Sequence, residues 1–97
     1  MKLSRFATAV ADLKEDGFDL TDLYVVARYK QVTEEGPITI MALVDKLDLS
    51  KTVALRRIKK LITKKVFVRV EKEHDLRTRF LEEGAVLRDM VEYLNPI

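Results

Sequence analysis

Ninety-seven residues, 47% of them hydrophobic and with only three glycines and two prolines, suit one folded, helix-rich domain over residues 1–97 with a modest core. The absence of cysteine excludes a disulfide framework and any thiolate metal site, and no apolar run approaches the ~20 residues of a membrane span. Eighteen basic against sixteen acidic residues give a net charge of only +2, so a strongly charged surface can arise here only by segregating the charges.

In chain order, Leu3, Phe6, Val10 and Leu13 recur at helical spacing, with Ser4 placed to cap and Asp16-Gly17 as a stop. Asp12, Glu15 and Asp16 interrupt any signal-peptide core, which together with the lack of cysteine points to a cytoplasmic protein. Thr21 can cap a second helix running to about Thr33. It carries Leu23, Tyr24, Val25, Val26, Ala27, Tyr29 and Val32 on most of its sides and is expected to be largely buried. Gly36 and Pro37 break it. Thr39 can cap a short third helix whose apolar positions are Ile40, Leu43, Val44 and Leu47. A tight turn at 48–50 follows, and Ser50 is a good cap for a fourth helix over 50–64. The period then changes to two, with Val66, Val68 and Val70 alternating with Phe67, Arg69 and Glu71 in a strand. A charged turn at 72–75, a returning strand at 76–81 and a final helix over 82–94 complete the chain, with Glu82 and Glu83 favouring that helix's N-terminus through its dipole.

The charges are segregated. Residues 49–65 hold seven basic and no acidic residues, while 1–48 carry a net of −3 and 66–97 a net of −2, which together restore +2. On a wheel of the fourth helix, Ala54, Leu55, Ile58, Leu61 and Ile62 form a core stripe. Thr52, Val53, Arg56, Lys60 and Thr63 gather opposite, and Arg57, Lys59 and Lys64 flank them. Lys51 and Lys65 fall towards the apolar side at the two helix ends, where long side chains can reach water. A stretch so unmixed calls for an anionic partner; the plainer reading is a solvated helix face. Lys51, Thr52, Val53 and Arg56 are a set able to read base edges in a duplex major groove, while Lys59, Lys60 and Lys64 could meet phosphates.

A short helix, a tight turn, a second helix and a two-stranded ribbon make a winged helix-turn-helix: mostly α with a small β-hairpin wing, an α+β fold. Residues 20–84 resemble the MarR family of winged-helix transcriptional regulators, and the wing is closest to the Sar branch. The resemblance rests on "EEGPIT" before the third helix, "LDLSKTVALRRIKKL" as recognition helix, and Asp75-x-Arg77 within the wing "KEHDLRT". It implies a homodimer binding double-stranded DNA, in a shortened form of the family. The DNA-binding core would span about 34–82, and the terminal helices at about 3–16 and 82–94 would complete the core and the dimer. The recognition helix would enter the major groove, with Ser50 and Arg57 among its contacts. The wing, 72–79, would lie on the backbone or minor groove through Arg77 and Arg79, with Asp75 orienting it.

The final helix bears two adjacent apolar stripes, one of Gly84, Leu87, Val91 and Leu94 and one of Val86, Met90 and Tyr93, wider than the ~100° needed to cover one core. With Leu3, Phe6 and Val10 of the first helix, Val86, Met90 and Tyr93 are the expected dimer interface; folding of the second stripe over the monomer's own core is the alternative. The one histidine, His74, sits in a charged turn and makes no metal site alone. The three glycines are too scattered for a phosphate loop, and no nucleophile-base pair is in view, so neither an enzyme nor a cofactor is expected. Sequence leaves any small-molecule effector unknown. A winged-helix module for protein partners and a replication-associated nucleic-acid-binding protein are the alternative functions, because fold alone does not fix function.

Overall fold

The computed structural model describes the backbone of residues 3–72 and 75–94 and the side chains of 7–71 and 79–92. The described residues form five helices and a three-stranded sheet. In order these are α1 (Leu3–Glu15), α2 (Leu20–Thr33), β1 (Ile38–Thr39), α3 (Ile40–Lys46), α4 (Lys51–Thr63), β2 (Phe67–Lys72), β3 (Asp75–Glu83) and α5 (Ala85–Leu94).

Local chemistry sets most of the boundaries. α1 ends where Gly17 takes φ 91°, letting the Phe18 N–H reach the Leu13 carbonyl at 2.9 Å and the Gly17 N–H reach Lys14 at 3.0 Å. Leu13 and Phe18 then enter the core together. α2 is capped by Asp19, not Thr21. The Asp19 carboxylate accepts from the Asp22 N–H at 2.9 Å, and the Asp22 carboxylate accepts from the Asp19 N–H at 3.0 Å. This reciprocal box satisfies two N–H donors where a single threonine cap would satisfy one. Thr39 caps α3 and Ser50 caps α4 as the sequence predicts, each hydroxyl accepting from the N–H three residues on. α4 ends at a left-handed Lys65, φ 67°, with the Val66 N–H on the Leu61 carbonyl at 2.9 Å.

The sheet is antiparallel in the order β1-β3-β2. β1 has only two residues, with Ile38 opposite Leu81 and Thr39 opposite Phe80, too short to show alternation in sequence. β3 runs on to Glu83, so Glu82 and Glu83 are strand residues rather than the start of α5. Glu83 is instead held by Lys30 of α2 at 2.5 Å.

The core joins Val25, Leu43, Ala54, Ile58, Leu61, Val66, Phe67, Leu81 and Leu87. Tyr29 lies over Phe67 with ring centroids 4.7 Å apart and donates its hydroxyl to the Leu81 carbonyl at 3.2 Å. Burial, followed by Glu83 and Glu82, pushes the Tyr29 phenol above its ordinary pKa. α2 is less buried than its composition predicts: Leu20 is 65% exposed and Tyr24 and Ala27 also face outward. Met90 is 2% exposed within the single chain, so it belongs to the monomer's core and not to an open dimer face. Val86 and Val91 pack half-buried on that core, and Val10 is half-buried on α1. The side chains of Leu3, Phe6 and Tyr93 lie outside the described residues.

Gly84 lies directly against the backbone at the end of α4. Its N–H donates to the Val66 carbonyl at 2.8 Å, and a Cβ added there would sit 2.1 Å from the Lys65 carbonyl oxygen. That oxygen also accepts from the Val86 N–H at 3.2 Å, so the end of α4 and the start of α5 are joined through backbone alone. Gly84→Ala should therefore destabilise the fold by about 2–3 kcal/mol in urea denaturation; an unchanged midpoint would contradict this packing.

Candidate nucleic-acid interface

α4 is held on one side and open on the other. Ala54, Ile58 and Leu61 are buried, while Lys51, Thr52, Arg56, Lys59 and Thr63 are exposed and Val53 is half-buried. Thr52, Arg56, Lys59 and Thr63 follow one another at helical spacing along the outer face. Lys51, Arg56 and Lys59 make no ion pair among the described residues. The Ser50 hydroxyl is committed to the Val53 N–H at 3.3 Å.

Arg57 and Lys60 are turned differently from the sequence expectation. The wheel puts Lys60 on the outer face and Arg57 beside it, yet both side chains reach the N-terminus of α2. Lys60 Nζ lies 2.5 Å from Asp22 Oδ2, and Arg57 Nη1 lies 2.5 Å from Asp19 Oδ2 and 3.5 Å from Asp22 Oδ1. Asp22 is the one buried charged side chain among the described residues, wholly out of solvent. An unpaired carboxylate there would cost several kcal/mol, so the buried charge dictates where the two cations go. Lys64 also turns back on the chain, donating to the Asp16 carbonyl at 3.0 Å with its ammonium 5.2 Å from the Phe18 ring centroid.

α2 holds the rest of the helix-turn-helix in the same way. The Asp48 N–H, in the turn before α4, donates to the Tyr24 hydroxyl at 2.8 Å. Arg28 Nε donates to the Lys46 carbonyl at the end of α3, 3.0 Å away. Asp19, Asp22, Tyr24 and Arg28 were not among the sequence-predicted site residues. The Asp-x-x-Asp spacing ahead of an apolar run was a visible capping signal, but its distant cations were not.

The wing is built by β2 and β3. Arg79 is exposed and lies 3.6 Å from Glu71, its cross-strand neighbour, and Arg69 lies 3.8 Å from the same carboxylate. Asp75 and Arg77 belong to β3 by their backbone, and their side chains lie outside the described residues, as does His74. Among the described residues no cluster of histidine and carboxylate side chains could hold a metal, and no helix is long and apolar enough to cross a membrane.

No family model and no curated protein matches the chain. Solved structures do. The transcriptional regulator Tm0710 from Thermotoga maritima is 17% identical, with a TM-score of 0.71 over 95% of this chain and 63% of that one. A mutant of S. aureus MepR bound to an oligodeoxyribonucleotide is 14% identical, with a TM-score of 0.74 over 94% and 65%. A mutant MarR from E. coli is 14% identical, with a TM-score of 0.61 over 95% and 74%. The chain has the MarR-type winged-helix fold. It spans less than two thirds of the length of the first two of these proteins and about three quarters of the third. In this MarR-like arrangement α3 and α4 are the helix-turn-helix, β2 and β3 the wing, and α2 the helix behind them.

Burial pushes the Asp19 carboxyl up, but the Asp22 N–H and the Arg57 guanidinium outweigh it and hold the group below its usual value. The same hydrogen bond to Asp19 raises the Arg57 pKa. A carboxylate depressed in the folded state stabilises the fold fully above its unfolded pKa of about 4, and that contribution is lost as pH falls through the folded value. Wild type should thus exceed Asp19→Asn in urea stability at neutral pH, and the gap should shrink at a pH below about 4. A gap of equal size at both pH values would mean that the Asp19 charge contributes nothing.

Proposed function

We propose that the chain is a sequence-specific double-stranded DNA-binding transcriptional regulator, with α4 as the recognition helix in the major groove. The observation that carries this reading is the outer face of α4. Lys51, Thr52, Arg56 and Lys59 stand exposed, and unpaired among the described residues, on a helix whose opposite side is fixed in the core. The fold supports it, since the MepR structure of the same type was solved with a bound oligodeoxyribonucleotide.

Roles follow from side-chain chemistry. The Arg56 guanidinium suits a bidentate contact to guanine, and the Thr52 and Val53 methyls suit the thymine methyl. Lys51 and Lys59 suit phosphates, and Lys64 at the far end of the helix could join them only by leaving the Asp16 carbonyl. Arg77 would carry the wing to the backbone or minor groove, with Asp75 orienting it and Arg79 beside it. A homodimer formed at the α1 and α5 end would set two copies of α4 in successive major grooves, about one DNA turn (~34 Å) apart. Its apolar surface would come from Leu3, Phe6, Val10, Val86 and Tyr93, without the core residue Met90. Such a regulator works in the cytoplasm.

Selection of bound sequences from a random duplex pool supplies the test duplex. Arg56→Ala should lower affinity for the selected sequence by ~1–3 kcal/mol and relax base preference at one position. Lys59→Ala should weaken binding to all duplexes alike. A protein carrying both substitutions whose low-salt gel-shift affinity matched wild type would remove α4 from the interface.

A further inference from the structure

Four charges of opposite sign meet between α2 and α4: Asp19 and Asp22 on one side, Arg57 and Lys60 on the other. They cancel one for one. Of the seven positive charges in residues 49–65, two are neutralised by this quartet, and 7 − 2 leaves +5. Capping alone does not explain the second carboxylate, since a neutral serine or threonine cap with glutamine three residues on satisfies the same donors. Only one member of the quartet is buried: Asp22 is wholly out of solvent, while the Arg57, Lys60 and Asp19 side chains remain 27%, 30% and 45% exposed. Lys60 stands one helical turn beyond the exposed Arg56, so release from Asp22 would put its ammonium alongside Arg56 on the open face.

We infer that the Asp19–Asp22 box is a specificity-setting device, which keeps Arg57 and Lys60 from phosphates while fixing the angle at which α4 presents its base-reading side chains. This rests on the DNA-binding reading above. Binding to random duplex is almost wholly a matter of free cations, whereas binding to a preferred site also needs aligned base contacts. An acidic box that removes two cations and locks the helix therefore depresses the first kind of binding more than the second. Asp19 and Asp22 act here as positioning residues, touching no DNA.

Fluorescence anisotropy of the full chain, on random duplex and on a duplex selected from a random pool, across a salt series, tests this. Asp22→Asn keeps an acceptor for the Asp19 N–H but weakens the hold on Lys60. It should raise affinity for random duplex about five- to tenfold, steepen the salt slope by about one unit, and lower the selected-to-random ratio. Asp19→Asn, at a half-exposed position that circular dichroism can confirm as folded, should act in the same direction by releasing Arg57. Lys60→Met should leave the wild-type salt slope unchanged. A box that merely stabilised the fold would leave the random-duplex affinity and slope of folded Asp19→Asn at or below wild type, and that result overturns the inference. So does a Lys60→Met slope shallower by one unit, which would make Lys60 a phosphate contact. Wild-type protein that binds no duplex overturns the DNA-binding reading as well; wild-type binding with unresponsive variants overturns the inference alone.

Discussion

The Asp22 carboxylate is wholly buried, and the placement of the helix-turn-helix depends on how that charge is satisfied. Two cations and one backbone N–H converge on it: Lys60, Arg57 and the N–H of Asp19. Desolvation alone would make the site unfavourable by several kcal/mol, so the partners cannot be optional. Because Asp22 is on the first turn of α2 and its cationic partners lie at the middle and in the last turn of α4, satisfying the charge fixes both the spacing and the roll of α4. Among the described residues no buried side-chain nitrogen or oxygen lacks a hydrogen-bond partner, as this account requires.

The remaining polar contacts of α2 extend the constraint along its length. Tyr24 holds the turn before α4, Arg28 the end of α3, Tyr29 the carbonyl of Leu81 in β3 and Lys30 the Glu83 carboxylate. α2 thus carries both an apolar contact surface through Val25 and Val26 and a row of directional contacts to α3, α4 and β3. Hydrophobic burial supplies the driving force, while the directional contacts select one arrangement of α3, α4 and wing. What stays unengaged among the described residues is the outer face of α4, where Lys51, Arg56 and Lys59 make no ion pair, and it is there that a polyanion would find partners.

Sequence revealed the parts of this design that are local. Alternation gave β2, helical spacing gave α1, α3 and α4, and Thr39 and Ser50 marked two helix starts by their own side-chain chemistry. The order of those elements was enough for the winged-helix fold. Three features escaped because their causes are not local. β1 exists only because β3 runs alongside it, and two residues carry no period. Glu82 and Glu83 read as helix-starting residues, but continued pairing with β2 keeps them in β3. Lys60 sits on the polar side of any wheel, and only a buried carboxylate 38 positions earlier in the chain draws it inward. Met90 shows the same limit, since a wide apolar face indicates burial without saying whether the cover is the chain's own core or a second copy.

The coupling between Asp22 and Lys60 is the quantity on which this account turns, and a double-mutant cycle measures it directly. Urea denaturation of wild type, Asp22→Asn, Lys60→Met and the protein with both changes isolates the pairwise energy from the effect of either side chain alone. A buried carboxylate satisfied by this ammonium predicts a coupling of about 2 kcal/mol or more, with the double substitution less damaging than the sum of the single ones. A coupling below about 0.5 kcal/mol would place Lys60 in the class of solvent-screened surface cations, and would contradict the claim that a buried charge on α2 sets the position of α4.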